Sequence, residues 1–280
     1  MVIGDDMINR ALGWGGIASR AARLDLGPKE IGWFAYSVRC HGIHPGVGTS
    51  SLKKPSEETR SPAGHGCHID EQSAKTCAIA ECVERISAGY WASEQVIESS
   101  ANEIGDKALD LASLPICSEE EYRSPYCDLR RPRKDLPLRW IEGRLIGHDR
   151  EVWVPLVLSH LYTGRRLAGE HIAHSISTGL AAHTSMGAAS LSAICEVIER
   201  DALALTWLLQ HEAPKVAFDD LDSTTQVFLN MQERLLPDVS FEIFDITTDL
   251  NIPVLLCLQT LHKRPFAYSA LRRKVEKWPF

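Results

Sequence analysis

Ser177-Thr178-Gly179-Leu180-Ala181-Ala182-His183, followed by Ile194-Cys195-Glu196-Val197-Ile198-Glu199-Arg200-Asp201-Ala202, is the most informative stretch of the chain. A turn of small residues feeds a long helix, expected to end near Leu209. Residues at i and i+3 share a helix face, so Glu196 and Glu199 point the same way. The apolar run Val197, Ile198, Ala202, Leu203 and Leu205 covers the other sides. Paired carboxylates in a half-buried setting need a cation or an arginine to compensate them. The two readings are therefore a salt-bridged helix and a metal site.

Working outward, the same pattern recurs upstream. Ala78-Ile79-x-Glu81-x-x-Glu84-Arg85 matches Ala193-Ile194-x-Glu196-x-x-Glu199-Arg200, and Trp91 and Trp207 follow the two copies. Each copy holds an i to i+4 Glu–Arg pair, which in a single copy is most simply a helix-stabilising ion pair. The repetition favours a joint role. Four carboxylates gathered in one cleft would repel a polyphosphate unless Mg²⁺ bridged them, and Mg²⁺ is a hard cation that shares oxygen ligands with phosphates. Arg85 and Arg200 suit bidentate contact with phosphate oxygens. A di-iron bundle would need Glu-x-x-His on two helices, and neither copy has it. The pattern is thus read as a candidate nucleotide site without a P-loop, with structural salt bridges as the other reading.

The first acidic helix is expected over Asp70 to Trp91, with Ala74, Ala78, Cys82 and Ile86 on its buried face and Gly89 at its stop. Strands are expected at Ile31 to Val38, Arg139 to Ile146, Val152 to Leu158, Ile172 to Ile176, Phe241 to Ile246 and Pro253 to Leu261. Residues 45–66 are rich in Gly, Pro and Ser and read as loop. Residues 93–137 read as a long internal connection punctuated by prolines, with a short helix from Asn102 to Leu111. Gly13-Trp14-Gly15-Gly16 lacks the spacing of the standard nucleotide fingerprints. The expected class is α+β.

Composition bounds the function. The chain has 280 residues, 44% hydrophobic and 24% charged, with a net charge of −7. These values suit a soluble globular protein and give no support for nucleic-acid binding, which goes with a basic excess. The basic run Arg130 to Lys134, broken by Pro132, reads as a solvated loop. Eight cysteines are present without a Cys-x-x-Cys pair, so zinc-ribbon and thioredoxin patterns are absent. The start of the chain lacks a secretory signal pattern, and no apolar run is long enough to span a bilayer. A cytoplasmic location without membrane association is expected.

These residues resemble the YcaO superfamily, and more closely its cyclodehydratase-like branch from azol(in)e peptide biosynthesis. The resemblance rests on Gly16-Ile17-x-x-Arg20 with Leu24-Asp25 and Val38-Arg39, on Glu81-x-x-Glu84-Arg85-x-Ser87, on Trp140-Ile141-Glu142-Gly143 and Val152-Trp153-Val154-Pro155, on the opening stretch, and on Asp245-x-Thr247-x-Asp249-x-x-Ile252-Pro253-Val254. It implies a YcaO-type α+β fold with mixed or antiparallel sheets, formed by residues 1–280 as one domain. It also implies ATP and Mg²⁺ as cofactors. Its chemistry is phosphorylation of a peptide backbone amide oxygen, leading to an azoline or a thioamide. On this resemblance Glu81, Glu84, Glu196 and Glu199 hold Mg²⁺, Arg85 and Arg200 contact phosphate, and Ser177 and Thr178 line the nucleotide pocket. A precursor peptide and a separate leader-peptide-binding protein are the implied partners, with a homodimer as an open option.

Two departures stand out. Gly64-His65-Gly66 stands where the family often has Gly-Lys-Gly, and Gly187-Ala188-Ala189 offers no acidic residue at the start of the second helix. Family members also usually continue well beyond Tyr268-Ser269, so the chain is expected to be truncated at its C-terminus. The alternative reading is a truncated, non-catalytic homologue acting as a peptide- or partner-binding subunit.

Overall fold

The computed structural model describes residues 16, 18–25, 32–40, 63–89, 91–148 and 150–261. They fall into two compact units. The first comprises residues up to Asp25 together with Trp33–Ala189, and the second comprises Leu26–Gly32 and Ser190 onward. The expected motif at residues 13–15, residue Ile17 and the segment Ala270 to Phe280 lie outside the described residues.

In the first unit, β1 (Ala22–Arg23), β2 (Phe34–Arg39) and β3 (Ala63–His68) form an antiparallel sheet in that order. Helix α1 (Glu71–Gly89) lies on it. Asp70 opens the helix by accepting the Ser73 N–H at 2.8 Å, and this bond holds the Asp70 carboxyl below the ordinary carboxylate value. Ala74, Ala78, Cys82 and Ile86, expected at spacing four, form the buried face and join Tyr36, Val38 and Cys40 in one core. Burial pushes the Cys82 thiol up to about 11, so this cysteine packs as a small hydrophobe.

Sequence pattern alone leaves β3 as loop, because Ala63-Gly64-His65-Gly66 has little strand propensity. The structure shows why the glycines are there. A Cβ on Gly64 would lie 2.1 Å from the Ala78 carbonyl oxygen and 2.3 Å from the Cys82 nitrogen. One on Gly66 would lie 2.1 Å from the Ala74 carbonyl oxygen. Strand and helix backbones touch directly, and only glycine leaves room.

A second sheet holds β4 (Val96–Ser100), β5 (Pro137–Leu145) and β6 (Arg150–Pro155), again antiparallel and in that order. The stretch 93–137 thus carries a paired strand. It also carries short helical turns, among them α2 (Ala101–Ile104) and α3 (Glu119–Arg123), each closed by a serine capping box. Strand β6 stops at Pro155, and Leu156–Ser159 turns into a short helix, α4, instead of continuing the expected strand. Trp140, fully buried, donates its indole N–H to Ser99 O at 2.9 Å and so ties β5 to β4. Residues 172–176 form no strand; Ile172 is buried in the core of this sheet from an irregular segment.

Helix α5 (Met186–Leu208) runs from the last residues of the first unit into the second. The second unit adds α6 (Ser223–Leu235), which apolar periodicity did not flag, and the antiparallel pair β7 (Val239–Asp245) and β8 (Leu255–Leu261). Ala202, Ile246 and Val254 form its core. Antiparallel sheets with helices bear out the expected α+β class.

Gly64→Ala and Gly66→Ala are each expected to destabilise the protein by about 3 kcal/mol, the upper end for an overpacked site. Gly187→Ala, whose added Cβ meets nothing within 4 Å, is expected to be neutral or slightly stabilising. Denaturant unfolding with an unchanged m-value checks both.

Candidate functional site

Helix α1 presents Glu81, Glu84 and Arg85 beside its buried face. Arg85 Nη2 donates to Glu81 Oε1 at 2.9 Å, and Nη1 lies 3.0 Å from Glu84 Oε1. Nη1 is buried and makes this contact as an ion pair without hydrogen-bond geometry. The other oxygen of Glu81 accepts the His65 backbone N–H from β3 at 2.6 Å. All three side chains are largely covered, with 17–32% of their surface exposed. Thus the glycine strand does two things: it seats the helix, and it fixes the Glu81 carboxylate.

The second copy, on α5 in the other unit, has the same connectivity but a looser form. Arg200 Nη2 is 3.6 Å from Glu196 Oε1, and Nε is 4.0 Å from Glu199 Oε1. Arg200 and Glu199 are more than half exposed. Each helix therefore places one arginine between the glutamates at i−4 and i−1, as the repeat implied.

The opening stretch folds as a tight turn. Leu180 N–H donates to Ser177 O at 3.0 Å, and Gly179 at the third position has φ +86°. That conformation favours glycine and marks a type II turn. The chain then runs to Ser185, whose hydroxyl accepts the Ala188 N–H at 3.3 Å and caps α5.

Between this run and α1 lies a cavity of about 470 Å³, wholly within the first unit. Ile79, Ala80 and Val83 form one apolar wall; Leu180, Ala181 and Ala182 form another. Glu84, Ser87, His160, His183 and Ser185 supply its polar groups. Of the residues expected at the site, Glu84 lines this cavity and is ion-paired with Arg85. Ser177 and Thr178 build the turn that leads to the cavity and are not part of its lining.

Sequence reasoning missed His160. It follows α4 and has no motif around it; three contacts hold its segment in place. Leu161 N–H donates to Ala88 O at 2.9 Å. Tyr162 packs so closely on Gly89 that a Cβ there would meet its ring at 2.7 Å. Thr163 O accepts from Arg139 Nη1 at 2.7 Å. Arg139 in turn forms a bidentate pair with the fully buried Glu170, at 2.7 and 2.6 Å. The remaining capacity of Glu170 takes the backbone N–H groups of Leu167 and Arg139. This pair spans 31 residues and left no local signal.

The donor chemistry fits Mg²⁺. Among the described residues no three His, Cys, Asp or Glu side chains converge as a ready-made metal cage. Mg²⁺ is commonly held by one or two carboxylates, with phosphate oxygens and water completing the shell. Glu81 with Glu84, and Glu196 with Glu199, each supply that kind of pair.

Antiparallel sheets together with two helices that each carry Glu-x-x-Glu-Arg define an α+β protein. The family model described as YcaO cyclodehydratase, ATP- and Mg²⁺-binding, matches residues 65–271, and the chain belongs to the YcaO family. A Rhizobium leguminosarum bv. trifolii protein, named for its place in the tfuA 3′ region, is 30% identical over 211 residues. That match covers 73% of this chain and 46% of the relative, so the chain spans about half the length of the curated relative it matches.

Solved structures share the fold at low identity. A heterocyclase in complex with substrate and cofactor superposes with a TM-score of 0.71 at 19% identity, over 89% of this chain and 34% of that one. YcaO from Methanopyrus kandleri, bound with AMPPCP and Mg²⁺, gives 0.54 at 16%, over 86% and 51%. The Escherichia coli microcin synthetase McbBCD complex with pro-MccB17 bound gives 0.58 at 14%, over 88% and 56%. Among the described residues no helix is long and apolar enough to cross a membrane.

Arg85→Ala leaves two largely covered carboxylates without their shared cation and is expected to cost about 1–3 kcal/mol. Arg200→Ala, at an exposed cluster, is expected to cost less than about 1 kcal/mol. Urea unfolding in magnesium-free buffer compares the two.

Proposed function

We propose that this chain is the nucleotide- and Mg²⁺-binding part of an enzyme that activates peptide backbone amides by O-phosphorylation. The outcome is an azoline, or a thioamide where an external sulfur donor supplies the nucleophile. One observation carries the reading: a largely covered Glu81–Glu84–Arg85 cluster stands at an apolar cavity of nucleotide-compatible size, in a chain of this family.

Phosphoryl transfer asks a protein mainly for positioning and charge neutralisation. Glu81 and Glu84 on one helix, and Glu196 and Glu199 on the other, are the proposed Mg²⁺ ligands. Arg85 and Arg200 orient these carboxylates and are available to phosphate oxygens. Mg²⁺ supplies charge neutralisation at the transferred phosphoryl group. The apolar walls beside Glu84 lower the local dielectric, which strengthens the interactions that Glu84 makes there. Ser177 and Thr178 act by setting the turn that carries Leu180 to His183 to the cavity. The heterocyclase complex with substrate and the McbBCD complex with pro-MccB17 support a precursor peptide as substrate, and the multi-protein McbBCD assembly supports a partner protein.

Isothermal titration calorimetry tests the reading. ATP is expected to bind in the presence of Mg²⁺ and to bind far more weakly in EDTA. Glu84→Gln, with an unchanged melting temperature, is expected to weaken binding at least about tenfold, as loss of a charge-assisted contact does. Phosphate release is expected to rise with a peptide rich in Cys, Ser and Thr. Mass loss of one water per modified residue then reports azoline formation, and exchange of oxygen for sulfur reports a thioamide. Binding without peptide-stimulated release favours the binding-subunit alternative; absence of any Mg²⁺-dependent affinity overturns the nucleotide reading.

A further inference from the structure

We propose that Arg85 is the resting cation of the Glu81–Glu84 pair and has to leave it before a metal ion binds there, so that the pair resists a free divalent cation and admits one that arrives with a polyphosphate. This rests on the metal-binding reading of the two glutamates and deepens it.

Arg85 fills the seat of a cation. Nη2 donates to Glu81 Oε1 at 2.9 Å, and Nη1 stands 3.0 Å from Glu84 Oε1, so one guanidinium faces one oxygen of each carboxylate. The other Glu81 oxygen accepts the His65 N–H at 2.6 Å. Both Glu81 oxygens therefore have partners while Arg85 is in place. A dication and a guanidinium on the same carboxylates are like charges in a largely covered site, and they repel.

The seat is held imperfectly. Among the described residues, Arg85 Nη1 is the buried side-chain polar atom that makes no hydrogen bond. Native structures keep few such groups, and each costs about 1–3 kcal/mol. Arg139 shows what a permanent arginine looks like in this fold. Its Nε and Nη2 bind Glu170 at 2.7 and 2.6 Å, its Nη1 binds Thr163 O at 2.7 Å, and Nη2 also reaches Arg165 O at 3.3 Å. Arg139 is bonded at every nitrogen; Arg85 is compensated in charge but not in hydrogen bonds. Phosphate oxygens satisfy a guanidinium on both counts. A polyphosphate thus gives Arg85 a new partner as it leaves, whereas a free cation leaves its charge without one. The copy on α5 lacks this barrier. Arg200 stands 3.6 and 4.0 Å from its glutamates and is more than half exposed, so water already screens it.

Mn²⁺, a hard cation of the same oxygen preference, tests this on the full chain. Paramagnetic resonance of Mn²⁺ alone and titration calorimetry of Mg·tripolyphosphate are compared for wild type, Arg85→Gln and Arg200→Gln. Arg85→Gln is expected to raise Mn²⁺ affinity roughly tenfold and to lower Mg·tripolyphosphate affinity roughly tenfold, the fold-change of one charge-assisted hydrogen bond. A merely structural arginine would lower both. Arg200→Gln, the control for net charge, is expected to raise Mn²⁺ affinity less than about threefold. Arg85→Lys keeps a cation without the planar fork; it is expected to shift both affinities in the same opposite directions by less, and it carries the test if melts show Arg85→Gln unfolded. Mn²⁺ affinity that is unchanged or lowered in a folded Arg85 variant, with Mg·tripolyphosphate binding to the wild type, overturns the resting-cation role and leaves the metal reading standing. Absence of Mn²⁺ and Mg·tripolyphosphate binding in wild type and variants alike overturns the metal reading and this inference with it.

Discussion

The close approach of Gly64 and Gly66 to helix α1 is the constraint on which the first unit depends. Backbone meets backbone along the Ala74, Ala78 and Cys82 face, with no side chain between. That fixes both the height and the rotation of the helix. Rotation matters most, because Glu81, Glu84 and Arg85 lie on the same helix just beyond the buried face. With Ala78 and Cys82 pressed on β3, Glu81 falls within reach of the His65 N–H, and Glu84 turns to the cavity. The residue between the two glycines is His65. The backbone N–H at that position does work that does not depend on the side chain.

A second constraint holds the opposite end of the cavity. Burying Glu170 completely would be prohibitive if it were alone, and breaking such a pair typically costs about 3–5 kcal/mol. Arg139 meets it with two parallel bonds, and two backbone N–H groups complete its shell. Arg139 also holds the Thr163 carbonyl. The ion pair therefore connects β5 to the loop that carries His160. The two acidic helices differ in the same physical terms. On α1 the Glu–Arg cluster is largely covered and tightly bonded; on α5 it is looser and more exposed. Identical motifs thus carry different stability costs when disturbed.

The sequence made some parts of this structure legible and others not. Alanine and cysteine at spacing four along Ala74 to Ile86 gave the buried face of α1 without ambiguity. The small-residue run at Ser177 announced a turn, and Gly179 occupies the position where φ must be positive. β3 was hidden because its glycines answer to a helix distant in local pattern, not to strand propensity. The expected strand at Ile172 to Ile176 failed because one buried isoleucine in an irregular segment produces the same short apolar signal. Glu84, which lines the cavity, stands out in the sequence through its repeat. Ser177 and Thr178 form the turn that precedes the cavity-lining run Leu180 to His183. His160 and the Arg139–Glu170 pair depend on contacts between distant residues, and single-sequence periodicity has no access to those.

Hydrogen–deuterium exchange on the full chain, with and without Mg·ATP, tests the central claim most directly, because it reports where a nucleotide sits and not merely that one binds. Added protection concentrated in Ile79 to Ala88 and Leu180 to Ala189, lost in EDTA, is the predicted result. Saturating Mg·ATP that leaves both segments unchanged while protecting others would contradict it.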